Sequence, residues 1–289
     1  MRHWYPFIPA IFFINGVCWC NDHVRISAEA ANNRAHCVRI EIRIQSDAPV
    51  REMILYRSHY NLNVLERLNL SDYPITKVVI RPEKASFTAI DSMVSDKCEY
   101  YYYAAVHDNN GVLLPCNVAQ ATTRDVQLAI PVNGAAEILI DKKNYFLEIV
   151  LGGRGVKRYP VSLGRNPLGR KVQQDCLTTP EGKYAIGYFK PQSQFYKAIG
   201  INYPTAIDRA RYTRALRRGL LDAEDGEKPS IGGAVQIHGG GIGNNWTWGC
   251  VAMRNPDIKE LFEAGMLKVG TRIWIVGADF TRDSVVAMR

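Results

Sequence analysis

Between Cys37 and Gln45 the side chains alternate without a break. Val38, Ile40, Ile42 and Ile44 are apolar, and Cys37, Arg39, Glu41, Arg43 and Gln45 lie between them. Successive side chains of an extended strand point to opposite faces, so a strict period of two buries one face and wets the other, which a helix cannot do. The pattern returns in Cys98 to His107, where Tyr100, Tyr102, Ala104 and Val106 share a face and Asp108-Asn109-Asn110-Gly111 turns the chain into Val112 to Leu114. After Val126, the apolar runs Ile138 to Asp141, Tyr145 to Leu151 and Val156 to Leu163 are broken by Lys142-Lys143-Asn144 and Gly152-Gly153-Arg154-Gly155, which reads as a β-meander. Ala234 to His238 and Thr271 to Val276 add two strands. Two stretches read as helices. One is Asp208 to Leu221, basic through Arg209, Arg211, Arg214, Arg217 and Arg218; the other follows Asn255-Pro256-Asp257, an N-cap, first-turn proline and early acid, and closes at Gly265. The fold class expected is mainly β, an N-terminal β-sandwich followed by a mainly-β domain with a few short helices.

At 289 residues, 47% hydrophobic and 22% charged, the chain has globular composition and is long enough for two cores. The division expected is a signal peptide or N-terminal anchor over 1–20, a sandwich over 21–125 and a second domain over 126–289. Arg2 and His3 precede an apolar run, Trp4 to Cys20, that is short for a membrane span and is interrupted by Pro6, Pro9 and Asn15. Cys18 and Cys20 are small enough to precede a cleavage site. Cleaved or not, such a segment places the body of the protein outside the cytoplasm, and any membrane association rests on it alone. The net charge of +8 comes from scattered Lys and Arg with no nucleic-acid motif, so no nucleic-acid partner is expected; an anionic polymer suits the charge equally well. Setting aside Cys18 and Cys20 leaves Cys37, Cys98, Cys116, Cys176 and Cys250, an odd number, so in an oxidising compartment at least one thiol stays unpaired. A Cys37–Cys98 disulfide has suitable spacing, but strand parity opposes it: Cys37 falls on the charged face and Cys98 on the tyrosine face.

The segment from Ile237 to Met253 carries the chemistry. A strand delivers His238 into Gly239-Gly240-Gly241, and the loop returns through Trp246-Thr247-Trp248-Gly249-Cys250. His238 is the only histidine from Val126 onward, which excludes a zinc site of several histidines and leaves Cys250 one imidazole partner. A free thiol titrates near ~8.5 and needs a base to become a nucleophile at neutral pH. His238 can take that proton and return it to a leaving amine. The amides of Gly249 and Cys250 are the natural oxyanion donors, and the Gly239 carbonyl is the candidate that orients the imidazole. From these residues alone, a lone histidine beside a glycine loop and a lone buried cysteine are more often structural. Trp246 and Trp248 flank the cysteine, so that one lines the cleft or both are structural.

The same segment resembles the signature of the L,D-transpeptidase catalytic domain family: His-Gly at a strand end, a variable loop, then Ser or Thr, any residue, Gly, Cys and a hydrophobic residue. His238, Thr247, Gly249, Cys250 and Val251 match in order. Ile138 to Lys142 resembles the family's opening strand, Lys157 to Gly164 its central strand, Thr179-Pro180-Glu181-Gly182-Lys183-Tyr184 its Thr-Pro-x-Gly-x-aromatic motif, Ile201-Asn202-Tyr203-Pro204 its Tyr-Pro element and Gly270 to Ile273 its last strand. The resemblance implies a mainly-β cysteine acyltransferase of the periplasm or cell wall, active in cell-wall biogenesis and cell shape. It would form a Cys250 acyl-enzyme with a peptidoglycan stem tetrapeptide, release the terminal D-residue and pass the acyl group to an amine, without cofactor or metal. Thr247, Trp246, Trp248, Tyr203 and Arg254 become candidate substrate contacts. Many members carry an arginine two residues after the cysteine where this chain has Ala252, and Arg254 is the candidate substitute. Trp248 and the short loop also depart from the common pattern and fit a branch with Thr-x-Gly-Cys-x-Ala. Two other readings stay open: a thiol hydrolase on the same scaffold, acting as an L,D-carboxypeptidase or releasing a wall-linked protein, and a non-catalytic wall-binding protein. Upstream, Tyr-x-Tyr-x-Ala-x-Val running into Gly111 resembles a fibronectin type III or immunoglobulin-like sandwich, with Tyr100 at the place of a tyrosine corner. Of the run Tyr100 to Tyr103, two are expected in the core and two at the surface; a glycan-stacking platform is the sharper alternative. The helix arginines contact stem-peptide carboxylates or form a solvated face paired with Asp222, Glu224 and Asp225.

Overall fold

Eight strands built on the period of two make up the N-terminal part of the chain in a computed structural model, which describes residues 24–31, 36–45, 50, 52–60, 75–82, 84–107, 113–114, 116–128, 136–221 and 229–278. They are β1 (Val24–Ala30), β2 (Val38–Ile44), β3 (Glu52–Ser58), β4 (Ile75–Ile80), β5 (Ser86–Asp91), β6 (Glu99–His107), β7 (Leu113–Leu114) and β8 (Ala119–Thr122). One sheet has the order β1-β2-β5 and the other β4-β3-β6-β7, with β8 also paired to β6. Val38, Ile40, Ile42 and Ile44 of β2 are buried as their alternation requires, in one apolar cluster with Met53, Leu55, Tyr100, Tyr102, Ala104 and Val106. Tyr101 and Tyr103 are only half-buried. The Tyr100 hydroxyl accepts a hydrogen bond from the Ser95 N–H at 2.7 Å, pinning the strand to backbone just upstream as a tyrosine corner does. Cys37, Cys98, Cys116, Cys176 and Cys250 are all free thiols, so the Cys37–Cys98 bridge does not form. The N-terminal apolar run, the Asp108 to Gly111 turn and the acids Asp222, Glu224 and Asp225 lie outside the described residues.

The second part contains β9 (Ala136–Asp141), β10 (Phe146–Leu151), β11 (Arg154–Pro160), β12 (Gly182–Ser193), β13 (Tyr196–Ile201), α1 (Ala206–Arg217), β14 (Gln236–His238), β15 (Val251–Ala252), α2 (Asn255–Glu263) and β16 (Arg272–Val276). Its strands form one mixed sheet in the order β11-β10-β9-β16-β12-β13-β14-β15, parallel at β9/β16 and β14/β15. The chain beyond β11 reaches the far edge. Ser162 N–H donates to Ala252 O at 2.9 Å and Ala252 N–H to Ser162 O at 2.8 Å, so the backbone groups of edge strand β15 find partners and the sheet closes on itself. Inside lies a cluster that includes Ile138, Leu147, Tyr159, Val161, Tyr184, Ile199, Ile237, Val251, Met253, Ile258 and Ile273. It shares no residue with the N-terminal cluster.

Several boundaries differ from the sequence reading. The hairpin β12–β13 carries no strict alternation, because only the first half of β12 is buried and the rest extends over the surface. Helix α1 starts earlier, at Ala206, where Thr205 and Asp208 form a reciprocal capping box, and it ends at Arg217. In α2 the N-cap is Arg254, with Asn255 already helical. The Asn255 side chain instead accepts the Gly240 N–H at 2.9 Å, tying the helix start to the glycine-rich loop. The sandwich also touches that loop, through the Tyr60 hydroxyl on Ile242 O at 3.3 Å, and it meets β11 where Arg158 N–H donates to Asp96 at 2.9 Å.

Candidate active site

Strand β14 ends at His238 and the short parallel strand β15 begins just after Cys250, with Ile237 paired to Val251 and His238 to Ala252. The eleven residues between His238 and Cys250 are therefore folded back so that the histidine ends one strand and the cysteine immediately precedes its parallel neighbour. Gly249 makes the last turn at φ +124, where a β-carbon would lie 2.7 Å from the Thr178 carbonyl; no other residue fits there. Gly239 is constrained by space alone, since its β-carbon would lie 2.7 Å from the Phe195 carbonyl.

The His238 ring is 2% exposed and clamped by aromatic rings. Phe195, in the β12–β13 turn, stacks on it at 4.7 Å and Trp246 meets it edge-on at 5.5 Å. Trp246 is itself held by its indole N–H donating to Gly241 O at 3.2 Å. His238 Nδ1 lies 2.6 Å from the Gly239 carbonyl. A carbonyl only accepts, so the proton sits on Nδ1 and Nε2 keeps its lone pair. Burial lowers the imidazole's pKa from 6.5, partly offset by the Gly239 bond, so the ring is neutral at physiological pH.

Cys250 is half-buried and its Sγ contacts the Ala234 carbonyl at 3.8 Å. Burial raises its pKa, against the backbone of Gln236 and the charge of Lys171, which pull it down. Both shifts favour the uncharged partners, so the resting pair is thiol and imidazole rather than thiolate and imidazolium.

The other residues singled out in the sequence fall in different places. Thr247 is buried; its hydroxyl donates to Cys250 O at 2.7 Å and accepts the Gly249 N–H at 3.2 Å. It holds the backbone of Cys250, and it engages one of the two amides expected to face an oxyanion. Trp248 is 68% exposed at the mouth of the loop. Tyr203 is buried, with its hydroxyl on Ile231 O at 3.2 Å. Arg254 is committed elsewhere: it pairs with Asp257 at 2.6 Å and donates to the Lys97 carbonyl of the sandwich at 3.0 Å. Three contributors escaped the sequence reading. Phe195 sits in a turn, Asn255 was read as a cap, and Lys171 lies in a loop without periodicity; only long-range packing brings them here. Among the described residues no group of three or more His, Cys, Asp or Glu side chains could hold a metal ion.

Residues 135–275 match the model of the L,D-transpeptidase catalytic domain, YkuD. A relative named "Putative L,D-transpeptidase YafK" in Escherichia coli (strain K12) is 34% identical over 98 residues, 33% of this chain and 31% of that protein. The chain thus aligns with about a third of that relative's length. Among solved structures, an L,D-transpeptidase from Mycobacterium smegmatis is similar at 12% identity over 88% of this chain and 99% of that one, with a TM-score of 0.31. An Fn3-like protein from Clostridium thermocellum is similar at 18% identity over 36% of this chain and 95% of that one, with a TM-score of 0.26. These structural likenesses are loose; the sequence match carries the assignment. Residues 135–275 belong to the L,D-transpeptidase (YkuD) catalytic-domain family.

Proposed function

We propose that the protein is an exported cysteine acyltransferase that cleaves the bond between the L-centre and the terminal D-residue of a peptidoglycan stem tetrapeptide and transfers the acyl group to an amine. The observation that carries this reading is a half-buried Cys250 thiol immediately before β15 and, at the end of the neighbouring strand β14, a neutral His238 whose tautomer is set by Gly239. As Cys250 Sγ attacks the donor carbonyl carbon, its proton passes to His238 Nε2 and an S–C bond forms. The negative charge that develops on the carbonyl oxygen is met by the Cys250 amide. Collapse breaks the C–N bond, and His238 returns the proton to the departing D-amino acid. An acceptor amine then attacks the thioester, giving up a proton to His238, and regenerates the thiol. Water in place of the amine gives hydrolysis through the same acyl-enzyme. Trp248 at the mouth of the loop is the residue most available to the substrate.

Intact-protein mass spectrometry tests this directly. A wall tetrapeptide is expected to add to the wild-type chain with loss of its terminal D-residue, and a carbapenem to acylate it, with no adduct on Cys250→Ala. Product analysis with and without an amine acceptor separates transfer from hydrolysis. A thiol that reacts with small alkylating agents but leaves no adduct with either acyl donor overturns the peptidoglycan reading.

A further inference from the structure

Lys171 is a lysine 93% removed from solvent in a domain where most lysines reach water; it is 7% exposed. Its Nζ donates to the carbonyls of Gln173 at 3.1 Å and Gln174 at 3.3 Å and lies 5.9 Å above the Tyr203 ring. The same Nζ is 3.6 Å from the point a Gly249 β-carbon would occupy, against the residue that precedes the nucleophile. No carboxylate lies within ion-pairing distance of it among the described residues. A buried ammonium held by neutral carbonyls is costly unless negative charge develops nearby.

We propose that Lys171 is the fixed positive charge of this active site, a positioning residue that stabilises the negative sulfur of Cys250 as its proton leaves for His238. The inference rests on Cys250 being the nucleophile. Lys171 keeps its own proton throughout; the transfer runs from Cys250 Sγ to His238 Nε2, and the ammonium acts through its field. The charged group that faces the thiol is Lys171; those that face Lys171 are Cys250, Cys176 and Asp175 of the 3₁₀ turn Gln174–Cys176, and Tyr203. Burial lowers the Lys171 pKa while negative charge on Cys176, Cys250 and Asp175 raises it, so each step toward a thiolate also secures the ammonium. Exposure of 7% favours this role over capture of a substrate carboxylate. Arg254, the cation nearest in sequence, is tied to Asp257 and Lys97 and leaves the place to Lys171.

The test is the pH profile of Cys250 alkylation by iodoacetamide, read at the Cys250 peptide by mass spectrometry in a Cys176→Ser background. Lys171→Met is expected to raise the midpoint by about one pH unit, so that labelling below it slows about tenfold, and Lys171→Arg to restore most of the rate. A folded Lys171→Met variant with an unchanged midpoint overturns the proposal. Should that variant not fold, the wild-type chain decides. Above pH ~8, where a histidine is neutral, iodoacetate should label Cys250 faster relative to iodoacetamide than it labels a cysteine in the unfolded chain, and salt should erase the difference. An equal or lower ratio overturns it. Alkylation reads the thiol whether or not a stem peptide is turned over, so failure of the peptidoglycan reading leaves this result standing, and the reverse.

Discussion

The molecule holds two cysteine–histidine neighbourhoods, and the one with the closer contact is not the one on which the proposed function rests. In the sandwich, Cys98 Sγ lies 3.0 Å from His59 Nδ1, and Tyr100 packs against the imidazole at 4.6 Å. In the C-terminal part the Cys250 thiol touches Ala234 O, and His238 bonds its own neighbouring carbonyl. What differs is the surroundings. Cys98 is 5% exposed, and burial pushes its thiol up to about 12 while burial and the Arg57 charge push His59 down to about 3. That pair is a neutral hydrogen bond at the edge of the sandwich core, its thiol held far from ionisation. Cys250 is half-buried, follows a glycine that only a tight turn explains, and has Lys171 beside it. A short S···N distance is therefore a weak sign of nucleophilic chemistry; access, backbone donors and a nearby cation count for more.

The sharpest way to break the comparison is at the sulfurs. Cys250→Ala is expected to abolish turnover of a stem tetrapeptide, whereas Cys98→Ala should keep it and instead lose roughly 1–3 kcal/mol of stability by leaving His59 Nδ1 without its partner. Turnover of Cys250→Ala above a few per cent of wild type, or loss of activity in a folded Cys98→Ala chain, would reverse the two roles. The histidines come next. His238→Ala should slow acyl-enzyme formation by about 10²–10⁴-fold, and His59→Ala should leave that rate unchanged, although both lose stability because each ring is packed against aromatic neighbours. Equal effects of the two variants on rate would mean that His238 is structural.

The smallest effects are in pH dependence, where the pairs should separate in different properties. Attack needs neutral His238, so kcat/KM is expected to rise with pH through an acid limb set by that ring, below the ordinary 6.5 because burial lowers its pKa. A limb at or above 6.5 in kcat/KM would contradict the buried neutral base. His59 should appear only in stability. Its folded pKa is depressed from 6.5 to about 3, so the unfolded chain binds the extra proton in that window and stability falls as pH drops from 6.5 toward 3. His59→Gln should flatten that part of the stability curve. If its slope is unchanged, the titration belongs to another group.

Much of this was written locally in the chain. The alternation of Val38 to Ile44 and the apolar runs after Val126 anticipate β2, β9, β10 and β11, because a period of two has one structural solution. His238, Gly249 and Cys250 announce themselves by residue type and spacing, since the turn and the chemistry each allow few alternatives. The hairpin β12–β13 escaped because a strand lying half over the surface has no face to keep apolar along its whole length.

The charges around the thiol were a different matter. By itself the sequence determined which residues could supply a nucleophile and a base, as these depend on side-chain chemistry and a loop of fixed length. Which cation serves them was decided by the tertiary structure. Arg254, four residues from the cysteine, is drawn off by Asp257 and the Lys97 carbonyl, while Lys171, seventy-nine residues away, is carried to it by the packing of the 176–178 segment over Gly164 and Gly249. A field acts through space, and the closed sheet sets distances in space with little regard for separation along the chain.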